Sequence, residues 1–183
     1  MAFLQEIDKL KSVSRATRVH GGRQENSAEH SWHLAMYALI LSEHAPENVN
    51  RDRVIKMLLL HDLVEIDAGD APIFGDYDAA ALAAQEQAAA TRLFGLLPSE
   101  QGEALRRLWD EFEANETADA RFAKSLDRFQ PPNQNLATGG GSWVEYNVSF
   151  AQLHEKVGRK IAAGAPKLWD WIAPKAKAFL DKL

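Results

Sequence analysis

The chain has 183 residues, 46% hydrophobic and 26% charged, with a formal net charge of −5 and no cysteine. A single domain over residues 1–183 is expected, burying roughly two thirds of the surface its unfolded form exposes, and this composition excludes disorder and a collagen-like repeat. Without cysteine there is no disulfide and no thiolate ligand, so any metal must be held by nitrogen and oxygen, and the chain suits a reducing, cytoplasmic setting.

In chain order, MAFLQEIDKLKSVSRATRVH carries no apolar leader, and Phe3, Leu4, Ile7, Leu10 and Val13 recur at helical spacing, predicting a first helix over 2–13. HGGRQENS reads as a loop, since paired glycines weaken a helix and Asn and Ser compete for the backbone. A helix follows from about Ala28 to His44, with His30, Leu34, Tyr37 and Leu41 on one core-facing stripe. Pro46 ends that region, and NRDRVIKMLLLHDLVEID, residues 50–67, predicts a buried helix capped by Asn50. AGDAPIFGD is a turn-rich break, and the alanine-rich stretch over 78–94 has high helix propensity. Pro98 and Ser99 separate it from a helix over 100–114, and another is expected over 117–129. QPPNQNLATGGGS, residues 130–142, reads as the longest loop and the strongest candidate for a functional or hinge segment. The remainder is helical, with Trp143, Phe150, His154 and Val157 roughly on one face and Pro166 and Pro174 punctuating the end. With no strand alternation and no apolar run near the roughly 18 residues of a membrane span, the expected architecture is an all-α bundle away from the membrane.

Cations and anions are segregated along the chain. Residues 1–23 carry Lys9, Lys11, Arg15, Arg18 and Arg23 against Glu6 and Asp8, whereas residues 57–91 hold no Lys or Arg but contain Asp62, Glu65, Asp67, Asp70, Asp76, Asp78 and Glu86. The acidic sum argues against general nucleic-acid binding. Within LLLHDLVEIDAGD, Glu65 lies one helical turn beyond His61 and three residues after Asp62, so three ionisable side chains converge behind leucines that mark a central helix. Buried carboxylates stay charged only with compensating partners, and imidazole with carboxylate suits a divalent cation. His30 on its core-facing stripe and Asp127 at the end of FAKSLD add polar positions on two other helices. Together His30, His61, Asp62 and Asp127 make a four-ligand site with coordination positions left for water and substrate. Such donors accommodate Mn, Co, Fe, Ni, Zn or Mg.

Spaced this way, these four residues resemble the H…HD…D signature of the HD-domain superfamily of metal-dependent phosphohydrolases. The sequence is similar above all to its 5′-deoxynucleotidase-like branch, through Arg15 before a loop, RQENSAEHS from Arg23 to Ser31, and the run from His61 through Glu65 to Gly69 and Asp70. The resemblance covers roughly residues 5–130. It implies an HD-type helical bundle, the four metal ligands, Glu65 and Asp70 as acid/base or water-orienting groups, and Arg15 as a phosphate contact. Arg18 and Arg23 are further candidates for substrate binding, from the basic N-terminal segment. The expected substrate is a small phosphate ester, a nucleoside 5′-monophosphate foremost, and the expected assembly a homodimer.

The chemistry fits those residue types. Phosphate-ester hydrolysis needs a nucleophile at neutral pH, which a metal supplies by lowering the pKa of bound water from about 15.7 toward about 7, and it needs positive charge opposite the phosphoryl oxygens. One departure stands out: the branch commonly follows the arginine with tryptophan, whereas Arg15 precedes Ala16, which leaves discrimination against ribose open. The alternatives are a guanosine tetraphosphate hydrolase, whose H-D-x-x-E-D motif is broken here by Ile66, another phosphate-ester hydrolase, and a metal-containing sensor that would need neither Glu65 nor Asp70. His33 is expected to pack rather than ligate, Asp67 to serve a solvent or structural role, and Trp109, Trp143, Trp169 and Trp171 to anchor core or interface.

Overall fold

The computed structural model describes residues 1–183. Helix α1 (Ala2–Glu6) tightens into a 3-10 turn over Ile7–Ser12, so the expected opening helix is α-helical only in its first half. Two short antiparallel strands follow, β1 (Ser14–Arg18) and β2 (Gln24–Asn26), where no strand was expected. SRATR and QEN show no hydrophobic alternation because this hairpin faces a charged site rather than the core. Its turn needs positive φ, which Gly21 (+94°) and Gly22 (+89°) supply without steric cost. Register is irregular between the pairs Ser14 with Asn26 and Arg18 with Gln24, as in a bulge.

Helix α2 (Ser27–Leu41) opens with a capping box. Asn26 Oδ1 accepts from the Glu29 amide at 3.0 Å, and the Glu29 carboxylate accepts from the Asn26 amide at 3.1 Å. Asn50 caps α3 (Arg51–Leu60) as expected, accepting from the Arg53 amide at 3.1 Å. The predicted single helix over 50–67 is instead broken: His61–Val64 winds as a 3-10 turn before α4 (Glu65–Ala68). Asp78 caps α5 (Ala79–Phe94), and α6 (Ser99–Ala114) and α7 (Ala118–Ala137) complete the central bundle.

Helix α7 corrects the expected loop over 130–142, since it runs through Pro131 and Pro132 to Ala137. Proline's φ is already helical; what it loses is a donor to the carbonyl four residues back. Burial of Phe129, Gln130, Pro132 and Asn135 on this face holds the helix together despite that loss. The connection shrinks to a turn in which Gly139, Gly140 and Gly141 all have positive φ, and a Cβ at Gly141 would lie 2.5 Å from Asn135 Oδ1. Short helices α8 (Ser142–Glu145) and α9 (Phe150–Leu153), a π turn over His154–Gly158, and α10 (Arg159–Gly164) lead to α11 (Pro166–Leu180). Pro166 starts α11, whereas Pro174 lies inside it rather than ending it.

Two apolar clusters hold these elements. The larger packs Leu34, Val54, Met57, Leu58, Phe122, Leu126 and Trp143 with the C-terminal helices, while the smaller joins Phe3, Leu10, Leu63, Val64, Leu93 and Trp109. Each fully buried aliphatic or aromatic side chain contributes about 1.5–3 kcal/mol. Leu58 belongs to one cluster and Leu63 to the other, so His61 and Asp62 occupy the seam between them. No helix is long and apolar enough to cross a membrane.

Candidate metal centre

The break in α3 aims the charged residues. In the 3-10 turn the His61 ring reaches back to its own preceding turn, where Nδ1 lies 2.8 Å from the Leu58 carbonyl, and its carbonyl accepts from Trp109 Nε1 at 3.1 Å. Phe112 packs its ring 4.9 Å from the imidazole centroid. In the neutral ring, donation from Nδ1 leaves Nε2 bare, facing Asp62 Oδ1 at 2.9 Å and Asp127 Oδ1 at 3.7 Å. Although that 2.9 Å separation suits an ion pair, Nε2 is buried without a hydrogen-bond partner, because lone pairs then face lone pairs.

His30, in the first turn of α2, repeats this geometry from the other side: Nε2 lies 3.1 Å from Asp127 Oδ1, and Nδ1 faces Glu25 Oε2 at 3.4 Å. Ligand atoms of His30, His61 and Asp62 fall within 4.8 Å of one another, and all three residues are buried. Such a knot of acceptors is stable only with a positive charge at its centre, either a second proton on a ring or a cation. Burial opposes that proton, yet Asp62 and Asp127 push His61 up to about 10. The donor set, the orphaned Nε2 and the backbone-held tautomer therefore fit a divalent cation.

Beside the knot, Arg15 from β1 enters with only 11% of its side chain exposed. One nitrogen, Nη1, lies 2.8 Å from Asp62 Oδ2, 3.4 Å from Glu65 Oε1 and 3.3 Å from Asp70 Oδ1. Burial would push the Asp62 carboxyl up, but His61 and Arg15 hold it well below the ordinary carboxylate range. Glu65 moves the other way: burial first, then the charge of Asp62, raises it well above its usual value, while Ser27 Oγ donates to Oε2 at 2.5 Å. Asp70 is raised as well, by burial and by Asp62 against the pull of Arg15. Burial would raise Asp127 too, but Arg128 and the neighbouring His30 and His61 rings outweigh it and hold the carboxyl well below its usual range.

A cleft of about 180 Å³ opens onto these groups, lined by Arg15, Ala16, His61, Asp62, Glu65, Asp70 and Asp127 and walled by Phe74, Tyr77, Trp143 and Tyr146. Arg18 and Arg23, expected at the substrate, are not among its lining residues. Arg18 Nη1 donates to the Gly22 carbonyl, and Arg23 is spent on Glu29 at 2.6 Å, so both serve the exposed hairpin and helix cap. The cleft's further cations are Lys124 and Arg128 of α7, unforeseen because their helical positions alternate with core residues. Glu25, Ser27 and Gln130 were also missed. Glu25 lay within the quoted RQENSAEHS run, but as an apparent loop residue, and Gln130 within an apparent loop. The 130–142 segment does line the cleft, through Pro131, Pro132, Asn135 and Ser142, mostly as helix. As expected, His33 packs edge-on against Tyr37 outside the knot, and Asp67 is tied up by Arg92 at 2.6 and 2.8 Å.

Comparison with known proteins places this geometry. The chain is 31% identical over 130 residues to 5′-deoxynucleotidase HDDC2 of Bos taurus, an alignment spanning 70% of this chain and 62% of that relative's length. It is 27% identical over 191 residues to a 5′-deoxynucleotidase of Erwinia tasmaniensis, spanning 99% of this chain and 95% of that one. A crystal structure of a "predicted metal-dependent phosphohydrolase" from Magnetospirillum magnetotacticum MS-1 superposes with a TM-score of 0.89 at 48% identity, covering 100% of this chain and 89% of its own. The model of the HD domain matches residues 7–169, and the chain belongs to the HD domain family.

Proposed function

We propose that the protein is a metal-dependent phosphomonoesterase acting on nucleoside 5′-monophosphates. The observation that carries this reading is the orphaned His61 Nε2, turned by the Leu58 carbonyl into a buried knot with His30, Asp62 and Asp127 and next to a guanidinium. His30, His61, Asp62 and Asp127 would hold the divalent metal. Once bound, it supplies an acidified water and positive charge opposite the phosphoryl oxygens. Relatives named 5′-deoxynucleotidase support the substrate class.

The chain's own residues do the rest. Arg15 offers a buried guanidinium whose Nη1 exchanges carboxylate oxygens for phosphoryl oxygens when substrate arrives. Glu65, raised above its usual range and oriented by Ser27, is the group placed to carry a proton to the leaving sugar oxygen, and Asp70, raised as well, stands on the other side of Arg15. Lys124 and Arg128 add positive charge on the α7 side of the cleft. Phe74, Leu153, Val157 and Trp143 exclude water from the nucleoside side, and Ala16 leaves room beside the sugar. An apolar groove lined by Met36, Ile40 and Trp171 supports the expected homodimer.

The test is phosphate release by metal-stripped protein resupplied with Mn, Co, Mg or Zn across deoxy- and ribonucleoside monophosphates. Metal-dependent release is expected, with a deoxy-to-ribo ratio that measures the effect of Ala16. Silence on all monophosphates with metal bound would refute the reading.

A further inference from the structure

Glu25 of β2 is 2% exposed and lies against the knot without belonging to it. Its Oε1 accepts from Gln130 Nε2 at 2.8 Å. Its Oε2 is faced by two donors, His30 Nδ1 at 3.4 Å and Arg15 Nε at 3.7 Å. Those three atoms, Glu25 Oε2, His30 Nδ1 and Arg15 Nε, are each buried with no hydrogen-bond partner. A carboxylate placed only to support the fold would be satisfied; buried polar atoms left short of partners mark a place where something else completes the geometry.

We infer that Glu25 is a positioning residue, one carboxylate oxygen of which couples the His30 imidazole to the Arg15 guanidinium. The inference rests on the reading of His30 as a metal ligand and Arg15 as a phosphate contact. A proton on His30 Nδ1 directed at Glu25 leaves Nε2 unprotonated and aimed at Asp127 and the metal position. Holding Arg15 by Nε keeps its terminal nitrogens turned toward Asp62, Glu65 and Asp70, where a phosphoryl group would arrive. Gln130 keeps the carboxylate in place with its amide nitrogen, which also lies 3.3 Å from His33 Nδ1. The chain His33, Gln130, Glu25, His30 thus runs from α7 and the outer part of α2 to the metal position.

Glu25→Gln is nearly isosteric, and Gln130 can turn its unpartnered Oε1 toward the new amide, so the fold has a route to survive. Two readouts separate positioning from mere support: the dissociation constant for Co²⁺ from its visible spectrum, and the His30 tautomer from ring ¹⁵N shifts of the folded protein. Glu25→Gln is expected to weaken Co²⁺ binding about 10- to 100-fold and to mix the His30 tautomers. Gln130→Met, which leaves the carboxylate charged but unheld, is expected to shift both readouts the same way by less, and decides the matter if Glu25→Gln does not fold. Wild-type Co²⁺ affinity and an unmixed tautomer in folded Glu25→Gln, or in Gln130→Met if that is the variant that folds, would overturn this inference alone. Failure of the wild-type protein to bind Co²⁺ would overturn it together with the metal reading.

Discussion

Replacing Arg15 by alanine separates the two positive charges that the cluster needs. Nη1 stands 2.8 Å from Asp62, 3.3 Å from Asp70 and 3.4 Å from Glu65. At an effective dielectric near 20 the gross attraction is about 6 kcal/mol for the ionised Asp62, while Glu65 and Asp70, both raised toward their neutral forms, contribute less. Desolvation of the buried guanidinium offsets most of that, as does the spread of its charge. What remains resembles other buried pairs broken on one side, about 3–5 kcal/mol, because the ionised Asp62 is left buried without its guanidinium. A divalent cation held by Asp62, as proposed, would also neutralise that carboxylate, so the same substitution should cost metal-loaded protein much less. For a chain of this size the difference amounts to a melting-temperature loss of about 10 °C in chelator, shrinking when Mn²⁺ is added. Thermal unfolding of wild type and Arg15→Ala under both conditions measures it, alongside a fall in kcat/KM for phosphate esters. Equal losses with and without metal would refute the shared-carboxylate account, and no loss in chelator would show that Arg15 does not compensate these groups.

Glu65→Gln should leave metal content near wild type while lowering turnover about 10²–10⁴-fold, since the proposed proton carrier is lost and the Ser27 contact retained; unchanged turnover removes Glu65 from the mechanism. In metal-free protein, His61 is pushed up to about 10, above its unfolded value near 6.5, so its contribution to stability is fully present below about pH 6.5 and is lost as pH rises through about 10. Glu65 and Asp70, also raised, act in the same direction as pH rises through their folded values. Urea unfolding in chelator between pH 6.5 and 10 should show falling stability that added metal flattens, and a curve independent of pH would contradict the proximity of these groups.

The legible part of the protein was its periodic part. The apolar stripe of α2 and the alanine-rich run of α5 announced themselves, and His30, His61, Asp62 and Asp127 stood out as polar positions in otherwise apolar helices. The hairpin was hidden because Ser14–Arg18 and Gln24–Asn26 bury charge and hydroxyl rather than alternating hydrocarbon. Pro131 and Pro132 read as a loop because a local rule, the missing amide, was weighed without the tertiary burial that overrides it. Arg23 looked available for substrate because nothing local told that Glu29, six residues on, would take both its terminal nitrogens. Glu25 was invisible for the complementary reason: its partners, Gln130 and Arg15, come from α7 and the opposite strand.

The charge behind the leucines of LLLHDLVEIDAGD now has a physical account. Leu58 packs into one core and Leu63 into the other, so the chain between them must cross a seam, and the 3-10 turn makes that crossing while turning His61 back on Leu58. Hydrocarbon on both sides lowers the local dielectric, which is what makes Asp62 and Glu65 respond so differently to burial a few ångströms apart: one is held charged by His61 and Arg15, the other driven toward its neutral form. Two carboxylates three residues apart with opposed protonation preferences match what the proposed phosphate-ester hydrolysis asks for, a ligand that stays ionised and a group that can carry a proton. Neither property belongs to the residue types alone. Both follow from the leucines that fix where the turn sits and from the arginine on β1 that reaches only one side of it closely.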